Sequence, residues 1–207
     1  MKKLIVIFYL TGAAGIILPY TRPLFIQLIP ASLILAFLVL SLFHTGGRLS
    51  RLVIASLIVF FLGYIIEVAG VKTGLIFGEY RYGDGLGAKF FGTPLIIGIN
   101  WLMLVYMTSA VTEKYNIRGL LAIISASLIM LLYDLILEQV APAMDMWHWE
   151  DDIVPLQNYA AWFLLAVGFH AIFKAFKVRT LNPLAETILI SQICFFLVLS
   201  LYLNLFK

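Results

Sequence analysis

The sequence predicts an all-α, polytopic membrane bundle of about seven transmembrane helices. Composition is the first observation: 63% of the 207 residues are hydrophobic and 12% are charged, against about 45–50% and about 25% in soluble domains. The second is the recurrence of long apolar stretches, each near the roughly 20 residues that a bilayer requires. The third is what separates them: short connections, except 72–92 and 141–157, with no internal repeat, low-complexity tail or soluble domain. The chain therefore reads as a single integral membrane domain over residues 1–207.

The first stretch, 4–20, follows two lysines and ends in small residues, as a secretory leader does. Its apolar run continues through Ile16, Ile17 and Leu18, so it reads as a retained first helix. The second, 24–43, contains Pro30 and is expected to kink there. The others are 52–71, 93–112, 119–140, 158–176 and 184–206. Cys194 is the sole cysteine and lies in an apolar run, which excludes an intrachain disulfide and points to packing.

The net charge of +3 does not imply nucleic acid, because basic residues in a membrane protein mark cytoplasmic loops. Lys2, Lys3, Arg48, Arg51, Lys114, Arg118, Lys174, Lys177 and Arg179 fall on one side. Arg22, Lys72, Arg81, Lys89 and Lys207 fall on the other. The bias places the N-terminus in the cytoplasm and the protein in the cell inner membrane.

Two longer connections, 72–92 and 141–157, share the outer side. The first, KTGLIFGEYRYGDGLGAKFFG, is too apolar for a floppy linker. Its GDGLG lacks the spacing and the preceding strand of a dinucleotide fingerprint. It is either a set of tight turns with Tyr80, Tyr82 and Phe90 in the interface belt, or a cap over a pocket.

Ionisable groups inside membrane helices are costly and are functional candidates by default. Alternating helix directions bring Glu67, Asn100, Asp134, Glu138, Gln157 and Asn158 to a similar depth in one leaflet. Asp134 and Glu138 are spaced i, i+4 and share a helix face. Two carboxylates so close in low dielectric do not both ionise, so one keeps its proton and is available as a general acid. The bland readings stand beside this one. Glu138 can reach water at the helix end, and Glu67 and Asn100 can join neighbouring helices. Asp145 and His148, at i, i+3, could ligate a metal, but no HExxH or Cys–His set accompanies them. Glu150, Asp151 and Asp152 read as a solvated acidic loop, and His170 as interfacial. Trp101, Tyr106, Tyr133, Trp147, Trp149, Tyr159 and Trp162 belong either to the belt or to a pocket wall that stabilises a carbocation. On these grounds alone, proton chemistry on a lipid-soluble molecule and proton-coupled transport both fit.

The stretch EVAGVKTGLIFGEYRYGDGLGAKFFGTPLIIGINWLMLVY (67–106) resembles the carotenoid biosynthesis membrane protein family, which contains carotenoid 1,2-hydratases and bisanhydrobacterioruberin hydratase. The stretch YDLILEQVAPAMDMWHWEDDIVPLQNYAAWF (133–163) resembles a second signature of the same family. Family members often carry proline at or near Gln139, a departure that leaves the acids untouched. The resemblance implies a hydratase without cofactor or metal that adds water across the terminal C1=C2 bond of an acyclic ψ end, as in lycopene or γ-carotene. The implied partners are the polyene, the lipid bilayer and other enzymes of the pathway, not nucleic acid.

Chemistry assigns the roles within that expectation. Asp134 is the expected proton donor, Glu67 the base and Glu138 the second carboxylate. Asn100 or Asn158 would orient the water, and Trp101, Tyr133 or Trp162 would shield the cation. Trp147 and Trp149 complete the expected substrate-binding set. Rivals are a carotenoid end-group cyclase, which shares the protonation step, and a proton-coupled transporter, for which matching halves are expected and none is seen. A prenyltransferase needs a second acidic motif, and a retinal photoreceptor needs a lysine within a helix; both are missing.

Overall fold

The computed structural model describes residues 1–205. Lys207, counted above on the outer side, and the end of the 184–206 stretch lie outside the described residues. Helix α1 (Lys2–Ile17) is followed by α2 (Arg22–Gln27), α3 (Ile29–Leu42) and α4 (Leu49–Thr73). Strands β1 (Tyr80–Tyr82), β2 (Lys89–Phe90) and β3 (Thr93–Pro94) lead into α5 (Ile96–Lys114) and α6 (Gly119–Leu137). Strand β4 (Trp147–Trp149), α7 (Leu156–Ala175) and α8 (Ala185–Leu205) complete the order.

Five helices, α4 to α8, are long and apolar enough to cross a membrane. The expectation of seven spans is met only that far, because α1 has 16 residues and α3 has 14. The second apolar stretch is not a kinked helix but two helices that meet at Leu28. Pro23 and Pro30 each occupy a first helical turn, where the missing N–H costs nothing, so proline starts both helices instead of bending one.

Helix α5 is the axis of the bundle. It packs on α3, α4, α6, α7 and α8, and 72% of its membrane-length window is buried, against 22–33% for the other four. Those helices turn exposed Leu57, Ile65, Leu132, Leu164 and Leu201 outward, as a bilayer-facing surface requires. Cys194 is among the exposed residues of α8, so the expected packing role is not found. His170 is 4% exposed, and its ring is bonded to Thr108 Oγ1 at 2.8 Å and to Ser127 Oγ at 3.2 Å.

The strands are an addition to the all-α expectation. β1 and β4 pair antiparallel, with Tyr80 opposite Trp149, Arg81 opposite His148 and Tyr82 opposite Trp147. Both triplets alternate aromatic with polar at period two, which puts four rings on the inner face of the ribbon. The GDG turn then runs against the 144–146 backbone, with Gly83 N–H on Met146 O at 3.0 Å and Gly85 N–H on Asp145 O at 2.8 Å. A strand, β1, does precede this turn, contrary to expectation, but a Cβ at Gly85 would lie 2.2 Å from Met144 O, so glycine serves close backbone approach here.

Candidate active site

Glu67 faces inward from α4, 4% exposed. Its Oε1 accepts the Trp101 indole N–H at 2.8 Å. Its Oε2 accepts the Tyr80 and Tyr82 hydroxyls at 2.6 and 2.7 Å. The two tyrosines sit i, i+2 on one face of β1, so a single strand delivers both. Gly63, one turn before Glu67, lets the indole lie against α4: a Cβ there would stand 3.0 Å from Trp101 Cβ.

Glu138 sits just past the last residue of α6 and is 5% exposed, so it does not reach water. Its Oε2 accepts the indole N–H groups of Trp147 and Trp149 at 3.0 and 2.8 Å, and its Oε1 accepts Asn158 Nδ2 at 3.1 Å. The paired ribbon thus divides its work: the β1 hydroxyls hold Glu67 and the β4 indoles hold Glu138. Trp147 and Trp149 are buried carboxylate donors, not belt residues. Asp134 is fully buried; its Oδ2 also accepts Asn158 Nδ2, at 3.2 Å, and its Oδ1 has no partner. One amide therefore bridges the i, i+4 pair.

Glu67, Glu138, Asn100 and Asn158 supply polar lining to a cavity of about 20 Å³. Trp101, Trp147, Trp149 and Trp162 wall it, the first and last of these stacked at 4.3 Å. A water needs about 10–15 Å³ of such space, so the cavity has the size of one water. Beside it runs an apolar groove of about 370 Å³, within the usual range for small-molecule sites. The two spaces share Ile97, Asn100 and Trp147. Tyr133 lines the groove rather than the cavity, and Asp134 lines neither. Gln157 does not join the cluster: it is exposed and donates to Leu75 O.

On its outer side the cavity abuts a surface vestibule of about 470 Å³, lined by Glu79, Arg81, His148 and Glu150 among others. Tyr80 and Trp149 belong to both, and their tilted rings, 5.0 Å apart, form the partition. Burial and then the neighbouring Glu67 charge push the Tyr80 phenol above its ordinary value, which keeps the hydroxyl protonated. Across the vestibule Glu79 hydrogen-bonds Glu150 and raises it.

The sequence reading missed what α1, α2 and α8 contribute. Phe8, Tyr9, Phe25, Gln192 and Phe195 line the groove. Tyr133 donates to Gln192 Oε1 at 3.4 Å, and Gln192 Nε2 donates to Tyr9 at 3.0 Å. Gln192, polar within an apolar run, was the available signal.

The Asp145–His148 pair is a loop fastener. His148 Nε2 lies 3.0 Å from Asp145 Oδ1, and Asp84 N–H donates to Asp145 Oδ2 at 2.8 Å. Among the described residues, no group of three or more His, Cys, Asp or Glu could hold a metal. The His148 bond, then the Asp84 N–H, hold the Asp145 carboxyl below its usual range. A carboxyl lower in the folded state stabilises above its ordinary value and loses that contribution as pH falls through the depressed one. Asp145→Asn, which tolerates the same left-handed backbone, is expected to destabilise the fold slightly at neutral pH, by about 1 kcal/mol or less after solvent screening, and so to lower Tm a little. The gap to the parent should close on acidification, as thermal melts in detergent across pH would record.

Fold and site together define a membrane-embedded helical protein whose buried carboxylates line a small cavity beside an apolar groove. The chain belongs to the carotenoid biosynthesis protein family, which it matches over residues 28–207. It is also similar to bisanhydrobacterioruberin hydratase of Haloarcula japonica, 30% identical over 141 residues. That match covers 61% of this chain and 45% of the relative, so the chain spans less than half the relative's length. No solved structure matches the chain.

Proposed function

We propose that this protein is a carotenoid hydratase, adding water to the terminal C1=C2 bond of an acyclic ψ end without a cofactor. One observation carries the reading: a water-sized carboxylate cavity shares Asn100, Ile97 and Trp147 with an apolar, aromatic-lined groove. The polyene lies in the groove, its end reaching past Asn100, and water waits in the cavity. Hydration needs both reactants at one boundary, whereas a cyclase gains nothing from a water site.

Hydrogen-bond chemistry assigns the carboxyls. Glu67 Oε2 faces two phenols, which accept as readily as they donate, so Glu67 can carry a proton and keep both bonds. Glu138 Oε2 faces two indoles, which only donate, and is fixed as an acceptor. Glu67 protonates C2, leaving a tertiary cation at C1 shielded by the Trp101 and Trp162 faces. Water attacks C1 and gives its proton to Glu138, and a tertiary alcohol results. The proton on Glu138 returns to Glu67 through the next water, with Tyr80 and Tyr82 as relays. The donor role passes from Asp134 to Glu67 because Asp134 lies behind Glu138, where it serves as the neutral member of that pair.

The proposal extends to topology: seven passes, with α2 and α3 forming the second and the N-terminus in the cytoplasm of an inner-membrane protein of one domain. Expression in a lycopene- or γ-carotene-producing bacterium tests the function. The expected pigment is heavier by one water per reacted end; unchanged pigment rejects the hydratase reading, and a ring-bearing isomer of equal mass indicates the cyclase.

A further inference from the structure

At the end of the bundle opposite the carboxylate cavity, a second polar space of about 600 Å³ opens where α5 and α7 end and α6 begins. The length of α6, 19 residues or roughly 28 Å, separates the two. Lys114, Arg118, Lys174 and Arg179 all line this basin, with Glu113 as its acid. Two of the cations are already neutralised. Arg179 pairs with Glu113, whose Oε2 also accepts Thr180 N–H and Thr180 Oγ1, at 2.6 and 3.1 Å. Lys114 pairs with Glu186. Among the described residues no ion pair engages Arg118 or Lys174, so two positive charges are left over within a concavity.

The walls are preformed. The Thr180 bonds anchor the 176–184 connection to α5, Thr45 N–H donates to Leu181 O at 2.9 Å, and Asn182 Nδ2 donates to Leu40 O at 2.8 Å. A Cβ at Gly119 would meet nothing within 4 Å, so the backbone there stands open to the basin. Ile117, Val178 and Leu181 give it an apolar rim at the helix ends.

We propose that this basin binds the phosphate-bearing headgroup of an anionic membrane lipid. Arg118 and Lys174 supply the charge a phosphate needs, and the apolar rim receives the part of the lipid next to it. The location at helix ends favours a lipid over a soluble phosphate, because headgroups occupy that level. The site is independent of the hydratase reading.

Native mass spectrometry of the protein in detergent, with phosphatidylglycerol or phosphatidylcholine added, tests this. The parent is expected to retain phosphatidylglycerol selectively. The R118Q/K174Q variant should lose roughly thirtyfold in affinity, two surface cations' worth. R118K/K174R should keep it, and R48Q/R51Q, which removes equal charge from the same face outside the basin, should change it less than about threefold. Unchanged Tm in all variants confirms the fold. Equal retention of both lipids, equal losses in the two charge-removing variants, or no loss in R118Q/K174Q each overturns the site. Saturation by millimolar inorganic phosphate without lipid retention overturns the lipid assignment.

Discussion

Glu67→Gln is expected to abolish hydroxylated product, a loss of roughly 10²- to 10⁴-fold, the usual worth of a positioned acid. The change is nearly isosteric. The amide oxygen still accepts the Trp101 N–H, and the amide nitrogen donates to the phenol oxygens, so the cap stays seated while the transferable proton is gone. Glu138→Gln should fail to a similar degree for the opposite reason: its partners are donors, and an amide nitrogen placed among them is repelled and cannot take a proton from water. Asp134→Asn separates this scheme from one in which Asp134 gives the proton. Asp134 lines neither the cavity nor the groove, so its neutral amide should leave a substantial fraction of activity. Pigment analysis in the carotenoid-producing host, with immunoblots of the membrane fraction and Tm in detergent, reads all three. Normal product from Glu67→Gln, or loss confined to Asp134→Asn, would return the donor role to Asp134.

How far the sequence disclosed this site depends on the kind of signal each residue carries. Glu67, Asn100, Asp134, Glu138 and Asn158 were visible because a polar side chain in an apolar run stands out, and alternating helix directions give its depth. The direction of each side chain about its helix axis was not visible. Hence Asp134 and Glu138 were seen as a pair, but not which of them faces the cavity. Tyr80, Tyr82, Trp147 and Trp149 were noted as aromatics, and interface aromatics are common enough to hide donors among them. Their purpose emerges only from the antiparallel pairing of β1 with β4, a long-range register that separate triplets do not announce. Seven spans were counted by apolar length. The split at Leu28 follows from two prolines whose places in a first turn depend on where the chain reverses. The groove was illegible for a plainer reason: Phe8, Phe25 and Phe195 are ordinary residues of apolar helices, and only packing makes a concavity of them.

Asn100→Leu should part protonation from water capture. Asn100 borders both the cavity and the groove, and leucine there fills a space of about 20 Å³ while removing a polar group that holds the water. Protonation at C2 by Glu67 does not need that water. The tertiary cation, shielded but unquenched, then returns a proton from a neighbouring carbon to the Glu67 carboxylate and reverts to an alkene of the original mass. In membranes suspended in D₂O, Asn100→Leu is therefore expected to yield the alcohol at least about tenfold more slowly while deuterium still enters the recovered carotenoid's end group. Glu67→Gln under the same conditions should show neither oxygen gain nor deuterium. The two variants together locate the steps, one at the acid and one at the water. Alcohol formed at the parent rate by Asn100→Leu would mean that the water reacts from elsewhere, and the shared wall between groove and cavity would lose its part in the reaction.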